Sequence, residues 1–187
     1  TFQRDSTASN TSTVSAFRMS RYEITWAQFK AVMGTDPSLT EYSSGTNDPV
    51  QNVNWYHAIA FCNKLSIAEG LTPVYTIRGI DFRNLSFSSI PTETNAAWDA
   101  ATADWTANGY RLPTEMEWLW AAMGADTANP GQVNRTGYQK PFAGSTASNS
   151  IGDHAWFTDN SGGKTHPAGT KKANELGLDD MSGHVWE

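Results

Sequence analysis

The sequence has almost no cysteine, little positive charge and no long apolar run. Cys62 is the only cysteine among 187 residues, so neither an internal disulfide nor a cysteine-rich zinc site can form within it. The net charge of −6 argues against a nucleic acid partner, because phosphate binding requires a basic face. No stretch approaches the roughly 20 apolar residues of a membrane span, and the first residues show no signal peptide. We therefore expect no membrane span and no nucleic acid partner.

Aromatic residues and small polar residues are abundant instead. The chain contains 8 Trp, 8 Phe and 6 Tyr, and such rings bury large areas in a core. A length of 187 residues is common for one domain and allows a substantial core. We therefore predict a single domain over residues 1–187.

Three helices are predicted from apolar residues at helical spacing and from residues that start or stop a helix. The first follows the cap Thr25 and ends near Gly34, and the second follows Asn54 and ends at Gly70. The third begins with the sequence Thr-Glu-Met-Glu at residues 114–117. This is a capping box, in which the hydroxyl and the second carboxylate each accept a backbone N–H.

The apolar residues of these helices indicate which faces are buried. In the second helix, Ala58, Phe61, Cys62 and Leu65 are spaced as i, i+3, i+4 and i+7, which predicts a stripe that faces a core. The third helix is apolar on most sides from Trp118 onward, so we expect it to be buried on most sides.

Strands are predicted in two short stretches, and loops fill much of the remaining chain. Residues 17–24 alternate partly between apolar and polar, and residues 74–77 have strand composition. Residues 6–15 and 125–163 have loop composition, and residues 98–105 contain a short helix in this interpretation. Because helices and strands do not alternate regularly, the pattern argues against a βαβ architecture and favours α+β.

Four stretches carry a resemblance to a known family. They are Tyr-Glu-Ile-Thr at 22–25, residues 49–54 with the helix segment 58–62, the block 110–118 that begins Tyr-Arg-Leu-Pro-Thr-Glu, and Gly-His-Val-Trp-Glu at 183–187. In this order and spacing they resemble the formylglycine-generating-enzyme, or sulfatase-modifying-factor, family. The resemblance implies an irregular α+β fold of the C-type-lectin type, in which helices pack on a small twisted antiparallel sheet between many long loops.

The sequence departs from the family pattern in three ways. His184 stands where the family usually has Asn, and Asp179 stands where it often has Tyr. Members of the family also continue past the Val-Trp-Glu block with core strands, a Gly-rich arginine motif and the paired cysteines that bind copper in the enzymes. We therefore expect the domain to lack its C-terminal segment here.

The resemblance implies a calcium site near the end of the sequence. The matching stretch of the family's enzymes holds calcium, with Asp180 and Glu187 here supplying carboxylates and Gly183 and Val185 supplying backbone carbonyls. Calcium prefers such hard oxygen ligands and tolerates irregular geometry. The alternative interpretation is a solvated acidic turn.

Arg111 with Glu115 and Glu117 offers an acid–base group, but helix capping and the helix dipole account for the two carboxylates. Arg111 is expected to tie its loop to a carboxylate in the core. Cys62 offers a thiol, although its place on an apolar stripe favours an inert, packed side chain.

Two histidine-containing loops offer further candidates. His166 could act as a base or ligand, and Asp153, His154 and Asp159 could hold a metal. Without a second histidine or a nucleophile beside His166, we favour an ordinary turn residue there. For the Asp153 group we favour a solvated surface.

Two functions follow from the resemblance. The first is a ligand- or protein-binding scaffold similar to bacterial variable proteins that are diversified by retroelements, since aromatic and small polar loop residues suit a contact surface. The second is a copper-dependent oxidase that forms formylglycine from a cysteine of a client sulfatase. Copper is expected only for the oxidase. Family usage and the Ser/Thr/Asn-rich loops lead us to expect an exported or cell-surface protein.

Overall fold

The computed structural model describes residues 1–186 and divides into two compact units. The first unit comprises residues 1–24, 40–49 and the chain from 113 onward, and the second comprises residues 25–39 and 50–112. The single domain over residues 1–187 therefore stays a prediction. Among the described residues, every helix is too short or too polar to cross a bilayer.

Residues 1–186 contain four helices and four two-residue strands. In chain order they are β1 (Phe2–Gln3), β2 (Thr11–Ser12), α1 (Trp26–Met33), α2 (Trp55–Ala68), β3 (Tyr75–Thr76), α3 (Ala96–Asp99), β4 (Thr102–Ala103) and α4 (Glu115–Met123). Short 3-10 helices lie at Thr40–Tyr42, Phe87–Ser89, Gly137–Gln139 and Ile151–Asp153. Helices beside short antiparallel strands and long loops agree with the predicted α+β class.

Each of the three longer helices starts with a complete capping box, which confirms their predicted starts. Thr25, Asn54 and Thr114 accept hydrogen bonds from the backbone N–H three residues later, and the side chain at that later position accepts from the N–H of the cap. The reciprocal side chains are Gln28, His57 and Glu117. These bonds satisfy N–H groups that have no partner within the helix.

The second unit is built around α2. Its central turns bury Ile59, Ala60, Asn63 and Ser66 completely. Phe61 is also buried and stacks on Phe29 of α1, with ring centroids 5.4 Å apart. The core of this unit therefore includes completely buried polar side chains as well as aromatic rings.

The predicted apolar stripe of α2 is only partly correct. Phe61 and Cys62 are buried, but Ala58 and Leu65 are half-buried. The buried face is rotated from the predicted stripe because it includes the polar residues Asn63 and Ser66, which have partners on other elements. A purely apolar pattern cannot reveal such a face.

The strand pairs are shorter and differently placed than predicted. Residues 17–24 form no strand in the described chain, although Phe17 and Met19 are half-buried and Arg18 and Ser20 are exposed, as the alternation predicts. The prediction of a strand is wrong because alternation specifies a face but supplies no partner. The stretch at 74–77 narrows to β3, which pairs with β4.

Two further predictions, one of a loop and one of a short helix, need correction. The loop predicted at residues 6–15 contains β2, which pairs antiparallel with β1 and places Ser12 opposite the buried Phe2. Trp98 lies in α3 as predicted, but Trp105 lies outside it and is 63% exposed.

In the first unit, α4 is less enclosed than its apolar sequence predicts. Glu117, Ala121 and Met123 are buried, whereas Trp118 and Trp120 are half-buried. The expectation of burial on most sides is only partly right: every residue from Met116 to Met123 is at least half-buried, but three of these eight are buried.

Two asparagines attach those loops to the end of α4. Asn174 donates from Nδ2 to the carbonyl of Ala121 over 2.8 Å, and Asn134 donates from Nδ2 to the carbonyl of Gly124 over 3.0 Å. The last carbonyls of a helix have no partner within it, so the two amides satisfy this terminus and fix the loops. Both asparagines are buried.

Candidate metal centre and loop surface

Glu23, Asp180 and His184 form a buried polar cluster within the first unit. Nδ1 of His184 lies 3.2 Å from Oε1 of Glu23 and 4.0 Å from Oδ2 of Asp180. Their side chains are 7%, 0% and 1% exposed in the order Glu23, Asp180, His184. One ligand atom from each residue can be chosen so that all three lie within 4.8 Å of one another. This separation is short enough for one ion to contact them, since calcium–oxygen distances are about 2.3–2.6 Å.

An unusual backbone places two of these side chains. Asp180 and His184 have left-handed φ angles of 58° and 73°, and Gly183 between them has φ 108°. The N–H of His184 donates to the carbonyl of Trp156 over 2.9 Å. Non-glycine residues with positive φ are uncommon and persist where the surrounding structure fixes them. The tight turn therefore directs Asp180 and His184 to the same side.

Arg21 and Asp179 join the two chain segments that carry the cluster. The N–H of Asp179 donates to the carbonyl of Arg21 over 2.8 Å, and Nε of Arg21 donates to Oδ2 of Asp179 over 2.6 Å. These bonds bring Glu23, two residues after Arg21, beside Asp180. They make the distance between the two segments a fixed feature of the fold.

The carboxylates of the cluster have unused acceptors. Oδ2 of Asp180 accepts from the N–H of Gly169 over 2.6 Å. Within the described chain, Oδ1 of Asp180 and both carboxylate oxygens of Glu23 are buried without a hydrogen-bond partner. Nδ1 of His184 lies close to Glu23 but has no hydrogen-bond partner in the described chain. Buried polar groups are nearly always paired, so this cluster is exceptional.

The ionisation of the cluster follows from its burial. Burial raises the pKa of Glu23, and His184 offsets only part of that effect. Burial lowers the pKa of His184, but Glu23 and Asp180 more than compensate and raise it. The N–H of His166 donates to Nε2 of His184 over 3.0 Å, so protonation of that nitrogen would break this bond. The neutral ring therefore carries its proton on Nδ1.

Three of the four predicted calcium ligands lie among the described residues. Asp180 is buried with one free oxygen, and Gly183 and Val185 lie in the tight turn that follows it. Glu187 lies outside the described residues. A buried carboxylate oxygen without a partner is the donor that a hard cation requires, so the residues present fit calcium.

The loop histidine His166 packs against an aromatic ring. His166 stacks on the indole of Trp156, with ring centroids 3.7 Å apart, and Nζ of Lys171 lies 3.8 Å from the centroid of the same indole. A cation near the face of a Trp ring is attracted by its quadrupole. His166 is thus part of a packed stack on the loops rather than an ordinary turn residue.

The group at Asp153, His154 and Asp159 is not brought together as a metal site in the described chain. Asp153 is exposed and pairs with Lys172 over 3.0 Å. His154 is buried, with its ring nitrogens 2.8 Å from the Lys172 carbonyl and 2.9 Å from Asn149 Nδ2. The expectation of a solvated surface is right for the two exposed aspartates and wrong for His154.

The remaining candidates have structural roles in the fold. Glu117 is buried and completes the capping box of α4, and Glu115 is exposed in its first turn. Arg111 donates to the carbonyl of Leu112 and lies 5.1 Å from the Trp105 ring centroid. Burial raises the pKa of Cys62 to about 12. A thiol with this pKa is not a nucleophile at neutral pH.

Sequence reasoning misses Glu23 as a member of the cluster. It is visible only as part of the Tyr-Glu-Ile-Thr motif, and nothing in that motif indicates that it meets Asp180. Asp180 and His184 are four residues apart, but they lie in an irregular turn, where this spacing predicts no shared face.

Comparison with known sequences gives a match over the whole chain. The sequence profile of the sulfatase-modifying factor enzyme 1-like domain matches residues 1–187. A chaperone protein LppX from Paenibacillus barcinonensis is 38% identical over 188 residues, covering 94% of this chain and 62% of the relative. A formylglycine-generating enzyme from Mycobacterium tuberculosis is 39% identical over 89 residues, covering 46% of this chain and 28% of the enzyme.

A solved structure gives the same result for the fold. Treponema denticola variable protein 1 matches with a TM-score of 0.76 and 41% identity, covering 87% of this chain and 58% of that protein. The predicted α+β fold of the formylglycine-generating-enzyme type is thereby confirmed. The chain spans about three fifths of the length of the LppX and variable-protein relatives.

Proposed function

This chain belongs to the sulfatase-modifying factor enzyme 1-like family, and on that premise we propose that it is a ligand- or protein-binding scaffold whose contact surface lies on the loops of the first unit. The observation that carries the proposal is the long stretch of loops that follows α4. From residue 124 to 186 the longest regular element is a three-residue 3-10 helix. Long loops on a fixed framework are a common site of binding.

Internal hydrogen bonds fix these loops. Asn134 and Asn174 attach them to the end of α4, and Thr165 donates to the buried carboxylate of Asp48 over 2.9 Å. Pre-ordered loops lose less conformational freedom when a partner binds. The loop surface is therefore prepared for recognition before contact.

The stack of His166, Trp156 and Lys171 is the part of this surface best suited to contact. It combines an indole, an imidazole and a cation, and all three residues are half-buried. Rigid aromatic side chains supply contact area at a low entropic cost, and Trp is enriched among residues that dominate binding energy. The chaperone name of one relative and the variable-protein name of another support a protein partner.

Direct binding measurements test the scaffold proposal. The intact protein is immobilised and exposed to purified surface proteins and to a glycan array, and saturable interactions are quantified by surface plasmon resonance. We expect Trp156→Ala to weaken such an interaction by at least about tenfold, as for a central Trp contact. Trp105→Ala is the matched control, because that Trp is exposed and lies in the second unit. An equal loss in both variants, or no saturable binding, would contradict the proposal.

We also propose that the protein binds calcium through Asp180, Gly183, Val185 and Glu187, and that it is exported or displayed at the cell surface. The free oxygen of Asp180 supports the ion, and the Ser/Thr/Asn-rich loops support the location. When bound, calcium would supply positive charge that neutralises buried carboxylates. Protease treatment of intact source cells tests the location, since a surface protein is degraded and an internal one is protected.

The second candidate is a copper-dependent oxidase that converts a client cysteine to formylglycine. The similarity to the mycobacterial enzyme over 89 residues favours it. Cys62 does not fit the reactive thiol of such an enzyme, because burial raises its pKa to about 12. The oxidase would need other cysteines and copper.

Cys62 reactivity and enzyme activity can be measured separately. We expect the native protein to leave Cys62 unlabelled by iodoacetamide at pH 8, whereas the denatured protein is labelled, as mass spectrometry can show. Rapid labelling of the native thiol would contradict the assigned burial. Formation of formylglycine in a cysteine peptide by the intact, copper-loaded protein would favour the oxidase over the scaffold.

A further inference from the structure

The unused carboxylate oxygens of Glu23 and Asp180 require a partner that the sequence motif does not contain. Both side chains are more than nine-tenths buried. Three of their four carboxylate oxygens have no hydrogen bond in the described chain. Leaving charged groups buried and unpaired is among the most costly arrangements in a protein.

His184 does not fill this position alone. Its Nδ1 is 3.2 Å from Oε1 of Glu23, but it makes no hydrogen bond within the described chain. The neighbouring Arg21 binds Asp179 over 2.6 Å. Near the cluster, the positive charge of this arginine is therefore engaged by a different carboxylate.

The hydrogen bond from His166 restricts which cation can enter. Because Nε2 of His184 accepts the N–H of His166 over 3.0 Å, the neutral ring carries its proton on Nδ1, the nitrogen that faces the carboxylates. A metal bound to Nδ1 would force the proton onto Nε2. The N–H of Nε2 would then face the N–H of His166, and two donors would repel each other. The tautomer therefore disfavours a transition metal held by imidazole and leaves carboxylate oxygens, which suit hard cations.

We propose that Glu23 is a direct ligand of the same calcium ion as Asp180, which joins the Tyr-Glu-Ile-Thr segment to the turn at residues 180–184 through the ion. This inference rests on the calcium proposal above and adds a ligand from a distant part of the chain. The added carboxylate increases the negative charge around the ion, and calcium affinity depends on the number of charged ligands.

Calcium affinity of the intact protein, measured by isothermal titration calorimetry with CaCl2 after chelation, tests the assignment. We expect Glu23→Gln to weaken calcium binding by at least about tenfold, because one charged ligand is lost. Glu23→Asp, which keeps the charge on a shorter side chain, is expected to bind with intermediate affinity. Asp159→Asn is the matched control, since it removes an exposed carboxylate of the same unit and should leave affinity unchanged.

Three results would overturn the assignment of Glu23. They differ in whether they also contradict the calcium proposal or the scaffold proposal. Unchanged affinity in both Glu23 variants would exclude Glu23 while leaving calcium at Asp180. An absence of calcium binding by the wild type would remove both calcium proposals but not the scaffold, which is tested by partner binding. Tighter binding of ZnCl2 than of CaCl2, lost in His184→Asn, would show a transition-metal site. Calcium binding that persists in His184→Asn and fails in Glu23→Gln supports the proposal.

Discussion

At the scale of single residues, Asp48 is a buried carboxylate with a nearly complete set of hydrogen bonds. Its side chain accepts from Oγ of Ser43 over 2.8 Å, from the N–H and Oγ of Ser44 over 2.7 Å each, and from Oγ1 of Thr165 over 2.9 Å. Asp48 is fully buried. Charge-assisted hydrogen bonds are stronger than neutral ones, so this residue fixes two loops of the first unit to each other.

Asp48→Ala is therefore expected to lower the free energy of unfolding by about 3 kcal/mol, since the donors lose a charged acceptor and become unpaired. Urea denaturation at pH 7 measures this change. Asp159→Ala, at an exposed position, should remain close to wild type. An Asp48→Ala variant as stable as this control would show that the bonds do not hold the loops.

The same carboxylate predicts a dependence of stability on pH. Burial would raise the pKa of Asp48, but the bonds from Ser44, Ser43 and Thr165 outweigh it and lower the pKa. The stabilisation is fully present above the pKa of an unfolded aspartate, about 3.9, and is lost as pH falls through the lower native pKa. The difference in urea midpoint between wild type and Asp48→Ala should therefore shrink below about pH 4. A constant difference down to pH 2 would contradict this assignment.

A substitution at Gly183 tests the close approach between the turn beside the cluster and the backbone of Trp156. A Cβ at this position would lie 2.6 Å from the carbonyl oxygen of Trp156, and φ is 108°. Gly183→Ala is expected to cost about 2–4 kcal/mol, from the clash and from the positive φ. Gly177→Ala separates the two causes, because Gly177 has φ 77° and open space around it, and should cost only about 1 kcal/mol. Equal thermal melts for the two variants would refute the close approach.

At the scale of elements, the sequence predicts the helices far better than the strands, for a physical reason. The signals that start a helix are local, so Thr25, Asn54 and Thr114 identify all three longer helices. Strand formation depends on a partner elsewhere in the chain, and residues 17–24 have the alternation of a strand without the ladder. Similarly, the sequence does not predict that His57 completes the capping box of α2, because the usual residue at that position is Glu or Gln.

Asn63 shows why apolar periodicity misplaces the buried face of α2. Its side chain donates to the carbonyl of Tyr75 over 2.7 Å and accepts from the N–H of Tyr75 over 3.0 Å. The Asn63 amide therefore makes the two hydrogen bonds with Tyr75 of β3 that a second neighbouring strand would otherwise make. Apolar periodicity gives no weight to such a residue, yet Asn63 is fully buried.

Asn63→Ala is expected to destabilise the protein by about 2–3 kcal/mol, because both backbone groups of Tyr75 lose their buried partner. Denaturation by urea measures the loss, and hydrogen exchange should show faster exchange of the Tyr75 amide. Asn84→Ala is the control, since Asn84 is exposed in a turn. If the Tyr75 amide kept its wild-type protection, the role assigned to Asn63 would be wrong.

The candidate site is also only partly predictable from sequence. Asp180 and Gly183 lie in one recognisable motif, so the resemblance identifies them together. Glu23 reaches them through the bonds between Arg21 and Asp179, which depend on the complete fold. Local motifs therefore identify the cluster residues that lie within one turn and miss the one contributed by a distant segment.

At the scale of the whole molecule, the two compact units are interleaved in the chain. The backbone passes from one unit to the other after residues 24, 39, 49 and 112. If the second unit unfolded alone, its two segments would remain attached at both ends to the first. Fixed ends restrict the conformations of an unfolded loop and reduce the entropy gained. Interleaving therefore favours unfolding of both units in one step.

We accordingly expect a single calorimetric transition with a van't Hoff enthalpy close to the calorimetric one. Asp48→Ala alters the first unit and Asn63→Ala alters the second, so each variant should shift the whole transition to lower temperature. Two transitions, with each variant moving only one of them, would contradict cooperative unfolding and the prediction of one domain. Because the variants lie in different units, this result separates coupling between units from the loss of a single local contact.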